Sequence, residues 1–166
     1  MKVERSTISR RTFIGGSAAL AASALWAPRI LAADTPKPDS NFKGVQIGAI
    51  TYSYRSMPSR AEDLLGYLVQ NGLSSVELMG DAAEEFANRY ATENEGTDAL
   101  DGYKALRKLY NDAGVNIHIV KFGNIGDRNM SDEQIQHYFE AAKALGAKGM
   151  TREMSKAIAR RLGPVA

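Results

Sequence analysis

Two charged residues of this 166-residue chain, Glu77 and Lys121, lie toward the ends of predicted strands. Arg152 and Glu153 lie next to each other near the C-terminus. Glu77 could hold sugar hydroxyls or act as a base if burial raised its pKa. Lys121 could place an ammonium beside a carbonyl or phosphate oxygen. We therefore take Glu77 and Lys121 as candidate catalytic residues, and Arg152 and Glu153 as candidates for substrate binding.

Each of these side chains also has a structural interpretation. Glu77 could simply pair with a neighbouring cation, and this alternative is favoured over catalysis. Strand alternation places Lys121 on the face of Ile117 and Ile119. If that face lines a barrel, Lys121 points to the substrate; if not, its ammonium reaches out between helices.

Aromatic and imidazole side chains provide further candidates. Tyr52 and Tyr54 follow the first predicted strand, where they could stack on a sugar ring and bind substrate, or pack beneath the next helix; packing is slightly favoured. His118 lies within a predicted strand, away from its end, so a core imidazole is favoured over a ligand.

The elements that must position these residues alternate along the chain. Glycines at 72, 114 and 146 each end a predicted helix and precede a strand by two or three residues, which is typical of repeated βα units. Serines at 59, 131 and 155 are predicted helix caps, the first two with capping boxes. The four predicted strands, expected to be parallel with helices outside, span 45–52, 75–79, 116–122 and 150–154.

The N-terminal segment has the pattern of a twin-arginine export signal. Arg10 and Arg11 are followed by Phe13 and then by a short Gly- and Ala-rich apolar run at 14–26. The run is shorter than the roughly 20 residues of a spanning helix, so we expect no stable membrane span. Residues 1–33 are therefore predicted to be a signal that the twin-arginine (Tat) machinery recognises, and the protein is predicted to be periplasmic or otherwise exported.

Composition excludes several classes of function. The chain has no Cys, which excludes disulfides, thiol nucleophiles and thiolate metal sites. Residues 1–33 hold five of the 21 Lys and Arg and one of the 19 Asp and Glu, so the remaining 133 residues carry a net charge of −2. Nucleic-acid binding is disfavoured. Residues 34–43 are predicted to be a linker, and the rest suffices for one modest α/β domain.

Residues 44–166 resemble the sugar phosphate isomerase/epimerase family with a xylose isomerase-like TIM barrel, in particular its exported twin-arginine members. The order of several short motifs carries this resemblance. They are GVQIG at 44–48, YSYR at 52–55, VEL at 76–78, VKFGN at 120–124, DEQI at 132–135, AAKALGAK at 141–148 and TREM at 151–154.

The resemblance implies a (β/α)8 barrel, of which this chain supplies about four βα units, the N-terminal half. It implies isomerisation or epimerisation of a sugar or polyol with a divalent metal, Mn, Mg, Zn or Co, whose ligands come from later strands. We therefore expect no metal ligand in this chain, and little activity from it alone. Open barrel edges favour self-association. The alternative is a non-catalytic periplasmic binding or assembly module.

Overall fold

The structure is a computed structural model that describes residues 36–166. The predicted signal, with Arg10, Arg11 and Phe13, lies outside the described residues. The strands are β1 (Asn41–Phe42), β2 (Val45–Gln46), β3 (Ala49–Ile50), β4 (Ser75–Met79), β5 (Asn116–Lys121) and β6 (Gly149–Met150). The helices are α1 (Ala61–Gln70), α2 (Gly80–Glu93), α3 (Ala99–Asp112), α4 (Asp132–Leu145) and α5 (Lys156–Leu162), with a 3-10 turn at Thr51–Tyr54.

Strands β3 to β6 form one parallel sheet in sequential order. Sequential order is that of a (β/α)8 barrel, whereas a doubly wound sheet reverses its order at a switch point. One row of paired residues crosses the whole sheet and consists of Ile50, Glu77, Ile119 and Gly149. The predicted α/β class, with parallel strands and four βα units as in half of a barrel, is confirmed.

The two faces of this sheet differ in burial. Val76 and Leu78 are fully buried beneath the helices and belong to one hydrophobic core, whereas Glu77 and Met79 between and beyond them are half-buried. Burial therefore alternates along β4 as expected for a strand with a single covered face. The helices cover one face, and the Glu77 face is the inner face of the half barrel.

A β-bulge in β5 corrects the predicted placement of Lys121. Val76 pairs with Ile117, but the next residue, Glu77, pairs with Ile119, so His118 is an extra residue in the ladder. The extra residue moves the second half of β5 by one position. Lys121 consequently shares a face with Ile119 but not with Ile117, which is buried on the helix side. His118 is exposed, so the predicted core imidazole was wrong.

The N-terminal region is more folded than the linker prediction implied. Residues 40–42 lie in the predicted linker, yet β1 pairs antiparallel with β2. Ser40 is buried; its hydroxyl donates to the carbonyl of Ile47 at 2.6 Å and accepts from the amide of Ser74 at 2.9 Å. The predicted strand 45–52 is therefore two short strands, one in this hairpin and one in the sheet.

One helix start and one strand length differ from the prediction in detail. Ser59 caps nothing, since Arg60 is the N-cap of α1 and makes no side-chain capping bond. The predicted capping box at Ser131 is present, and Ser155 caps α5. The last strand is β6 alone, shorter than the predicted 150–154. No helix among residues 36–166 combines the length and apolar character needed to cross a bilayer.

Candidate functional site

Glu77 occupies the middle of the inner face. It lies on β4 between Ile50 of β3 and Ile119 of β5, so aliphatic side chains flank its carboxylate on both neighbouring strands. The hydroxyl of Thr151 donates to Glu77 Oε1 at 2.5 Å. Within residues 36–166, Oε2 accepts no hydrogen bond, which leaves one carboxylate oxygen for a ligand.

Lys121 is the last residue of β5 and only 19% of its side chain is exposed. Its Nζ donates to Glu153 Oε1 at 2.7 Å. This hydrogen bond raises the pKa of Lys121, and the negative charges of Glu153 and Glu77 and the Tyr52 hydroxyl act in the same direction, against burial, which lowers it. The ammonium is therefore charged at neutral pH and lies in the field of Glu77.

The same hydrogen bond orients Glu153. Bonding to Lys121 is the main cause that lowers the pKa of the Glu153 carboxyl. Glu153 is otherwise 84% exposed, so it is the outermost group of the site. A ligand oxygen that displaced Glu153 could accept a hydrogen bond from the charged Nζ of Lys121, which is already in position.

The two tyrosines have different surroundings. Tyr54 packs against Tyr67 of α1 with ring centroids 5.3 Å apart, and its hydroxyl accepts from Asn71 Nδ2 at 3.0 Å. Tyr52 is 54% exposed and lies under the guanidinium of Arg55, 4.9 Å from the ring centroid. Tyr52 is thus available to a ligand, whereas Tyr54 has the packing role that the sequence slightly favoured.

Arg152 is hydrogen-bonded to the loop that follows β5. Its guanidinium donates to the carbonyl of Ile125 and to Asp127 Oδ1, the latter at 3.1 Å, and Nε donates to the carbonyl of Glu153 at 2.9 Å. Only 9% of the side chain is exposed. These bonds hold the loop through Nε and Nη1 of Arg152.

Two threonines complete the site, and sequence reasoning did not select either of them. Thr151 bonds Glu77, and the Thr51 hydroxyl, which is buried, accepts from the amide of Met79 at 2.9 Å. Each directly follows a sheet strand, β3 or β6. Their position at a strand end, the criterion used for the charged residues, could have identified them.

The residues present do not fit a metal ion. Within the described part of the chain, no group of three or more His, Asp or Glu side chains could hold one. The site's two carboxylates have other partners, since Glu77 accepts from Thr151 and Glu153 pairs with Lys121. What the arrangement provides is a charged ammonium, a free carboxylate oxygen and an exposed phenol ring at the carboxyl end of a parallel sheet. These groups suit a small ligand with hydroxyl and carbonyl oxygens.

Comparison with known proteins gives little further information. No family model matches the chain, and no curated protein matches it significantly. Among solved structures, the chain is similar to the probable 3-DHS dehydratase AsbF from Bacillus anthracis, described as involved in petrobactin synthesis. Sequence identity is 15% and the TM-score 0.48, over 68% of this chain and 39% of that chain. The chain thus spans less than half of that protein, and the fold assignment rests on the strand order and register.

Proposed function

We propose that residues 44–166 bind a sugar or related polyol at the carboxyl ends of the sheet, as part of a sugar isomerase or epimerase of the sugar phosphate isomerase/epimerase family. One observation carries the proposal: the charged Lys121 ammonium and the half-buried Glu77 carboxylate share the inner face of a barrel-like sheet. Ligands of barrel enzymes bind at this end of the strands. Tyr52 provides a ring on which a sugar could stack.

The two charged groups suit proton transfer next to a carbonyl. Glu77 Oε2 would take the proton from the carbon adjacent to the carbonyl, and Lys121 Nζ would donate a hydrogen bond to the oxygen as it gains negative charge. Glu77 would then deliver a proton, which can exchange with solvent, to the former carbonyl carbon; transfer of the neighbouring hydroxyl proton to the former carbonyl oxygen completes the isomerisation. Delivery of a proton from water to the opposite face of the original carbon, with Glu77 releasing its proton to solvent, epimerises the sugar. Neither outcome needs an oxidant or a reductant.

The family resemblance adds a divalent metal, Mn, Mg, Zn or Co, to this proposal. The described residues do not form a site for this metal. The proposal therefore gives proton abstraction to Glu77 and stabilisation of the negative oxygen to Lys121, without a metal. The assay below is therefore run with EDTA and, separately, with each metal. If deuterium exchange requires the metal, residues other than those described must contribute to the reaction.

The test is deuterium exchange at the carbon next to the carbonyl. D-xylose, D-glucose, D-fructose and glucose 6-phosphate are incubated with the protein in D2O and followed by proton NMR. We expect slow exchange into at least one sugar, and at least a hundredfold loss in Glu77→Gln and Lys121→Met. Lys108→Met is the matched control, since Lys108 is 76% exposed and, among residues 36–166, pairs only with Asp112. Equal exchange in Glu77→Gln and the unsubstituted protein contradicts the proposal.

A non-catalytic binding module is the second candidate. It is favoured by the fact that Glu77 and Lys121 already have protein partners, Thr151 and Glu153, so both side chains are satisfied without a reaction. The module would bind sugar without any deuterium exchange. Saturable binding by calorimetry with no exchange in any sugar would select it.

We also propose that the protein is exported through the Tat pathway to the periplasm. The support is the sequence pattern Arg10, Arg11 and Phe13 before a short apolar run. Expression in a bacterium, followed by cell fractionation, tests it. The unsubstituted chain should reach the periplasm, and replacing both arginines with lysine should retain it in the cytoplasm.

A further inference from the structure

Arg55 lies at the carboxyl end of the sheet and has no role in the reaction proposed above. It directly follows the 3-10 turn Thr51–Tyr54, and its backbone amide donates to the carbonyl of Tyr52 at 3.1 Å. The turn is fastened to the end of β4, because the Thr51 hydroxyl accepts from the amide of Met79 at 2.9 Å. The backbone of Arg55 is therefore held in place beside the central strand of the candidate site.

Tyr52 links Arg55 to the charged groups of that site. The guanidinium of Arg55 lies 4.9 Å from the centroid of the Tyr52 ring, and both side chains are exposed. The hydroxyl of the same tyrosine acts on the Lys121 ammonium and raises its pKa. Arg55 and Lys121 are thus neighbours of one aromatic side chain, although they follow different strands.

Arg55 differs from Lys121 and Arg152 in having no carboxylate partner within residues 36–166. Lys121 pairs with Glu153 at 2.7 Å. Arg152 pairs with Asp127 at 3.1 Å. The side chain of Arg55 makes one long hydrogen bond within the described residues, at 3.4 Å to a backbone carbonyl of its own turn. A guanidinium has five N–H donors in a planar fork that suits phosphate and carboxylate oxygens, so most of these donors are open to a ligand.

The strand order places Arg55 and Lys121 on opposite sides of Glu77. Glu77 lies on β4, which has β3 on one side and β5 on the other. In the proposed reaction, Lys121 on the β5 side bonds the carbonyl oxygen of the sugar, and Glu77 takes the proton from the next carbon. A substituent that contacts Arg55, on the β3 side, must therefore extend from the end of the sugar remote from the carbonyl.

We propose that Arg55 determines specificity by binding an anionic substituent, phosphate or carboxylate, at the end of the sugar remote from the carbonyl. This inference rests on the proposed sugar site, and adds to it the charge and the orientation of the substrate. The cation–π contact with Tyr52 positions the guanidinium before a ligand arrives. Phosphate and carboxylate offer Arg55 the same oxyanion chemistry, so the ligands in the test must distinguish them.

The test compares four ligands by NMR titration of the full chain. D-glucose is neutral, glucose 6-phosphate and D-glucuronate carry their charge remote from the carbonyl carbon, and glucose 1-phosphate carries its charge on that carbon. We expect at least one of the two remote anions to bind about tenfold more tightly than glucose, because hydrogen bonds between charged groups are the strong ones. The tighter of the two identifies the substituent.

Substitutions of Arg55 assign this preference to its side chain. Arg55→Met should reduce the preference, the ratio of the two dissociation constants, to about one, and Arg55→Lys should keep part of it, since Lys retains the charge without the planar fork. Neither should alter the affinity for glucose 1-phosphate relative to glucose. Arg128→Met is the matched control and should keep the full preference. Arg128 is exposed in the loop after β5, with neither an ion pair nor a hydrogen bond from its side chain within residues 36–166.

Three results would contradict the proposal in different ways. Equal affinity for glucose and both remote anions would overturn it and leave the sugar site intact. A preference that survives in Arg55→Met, or falls equally in Arg128→Met, would overturn it as well, because the preference would then come from other groups or from overall charge. If none of the four ligands binds, the proposed sugar site fails, and this inference fails with it.

Discussion

The Thr151 hydroxyl donates to Glu77 Oε1 across 2.5 Å, although 74 residues separate the two in sequence. Glu77 lies on β4 and Thr151 follows β6, so the bond passes over the intervening β5. In a flat sheet, next-but-one strands are about 9.6 Å apart. Short side chains bridge that distance most readily where the sheet curves toward its inner face, and contacts between alternate strands characterise the interior of a barrel.

Removing the Thr151 hydroxyl should destabilise the sheet. Thr151→Val leaves Glu77 Oε1 half-buried without its donor, and we expect a loss of about 1 kcal/mol in the free energy of unfolding. Thr151→Ser keeps the donor and should lose less than half as much. Urea denaturation followed by circular dichroism measures both. A loss in Thr151→Ser without a loss in Thr151→Val would show that the methyl group matters and the hydrogen bond does not.

The Lys121–Glu153 pair should be stable between acid and strongly alkaline pH. Glu153 has a pKa below its usual 4.5, so its contribution is present above that value and lost as pH falls through the lowered pKa. Lys121 has a pKa above its usual 10.5, so its contribution is complete below that value and lost as pH rises through the raised pKa.

Glu153→Gln checks this assignment. The substitution removes the main cause of the Lys121 shift, so the Lys121 pKa should fall toward 10.5, as followed by NMR of the side-chain ammonium. Lys104 is the control, because its pKa is raised by Asp101, which the substitution leaves in place. An unchanged Lys121 pKa would mean that Glu77 or Tyr52 determines it instead.

Two helical glycines should respond oppositely to alanine. A Cβ at Gly102 of α3 would lie 2.5 Å from the Cα and carbonyl oxygen of Ala87 of α2, so Gly102→Ala should cost about 2 kcal/mol of stability. A Cβ at Gly66 of α1 would meet nothing within 4 Å. Gly66→Ala should therefore stabilise the protein by about 0.8 kcal/mol. Thermal and urea unfolding measure the stability of both variants. An unchanged free energy of unfolding in Gly102→Ala would contradict the close approach of α2 and α3.

Arg152 should stabilise the loop after β5. Arg152→Met loses the bonds to Ile125 and Asp127, and trypsin cleavage after the exposed Arg128 should become about tenfold faster. Arg160→Met is the control, because Arg160 is exposed on α5 and makes no ion pair within the described residues. An intact loop combined with lost sugar binding would contradict the loop role and support the substrate-binding role predicted from sequence.

Most of the fold could be predicted from the sequence because local signals agreed. The apolar run at β4 and the helix α3 ended as expected, and Gly114 and Gly146 adopt the positive φ that ends the preceding helices. Periodicity and glycine caps are local properties. They require no knowledge of tertiary contacts.

The failures came from tertiary contacts. The hairpin forms because Ser40 reaches Ser74, 34 residues away, and no local pattern indicates that bond. The bulge at His118 arises from pairing with β4 and reversed the expected face of Ile117 relative to Lys121. The bonds of Arg152 to the loop after β5 also depend on the fold, so no local pattern indicates them. The positions of Glu77 within β4 and of Lys121 at the end of β5 could be predicted because the bounds of these strands follow from local sequence.

We propose that Glu77 and Lys121 form a binding site for sugar at the carboxyl end of the sheet. The most direct measurement is NMR titration of the labelled chain with D-xylose, D-glucose, D-fructose and glucose 6-phosphate. We expect saturable shifts, for at least one sugar, at the Lys121 ammonium and at the amides of 77–79 and 151–153. Shifts confined to the β1–β2 hairpin, or no shifts with any of the four at 50 mM, would contradict it.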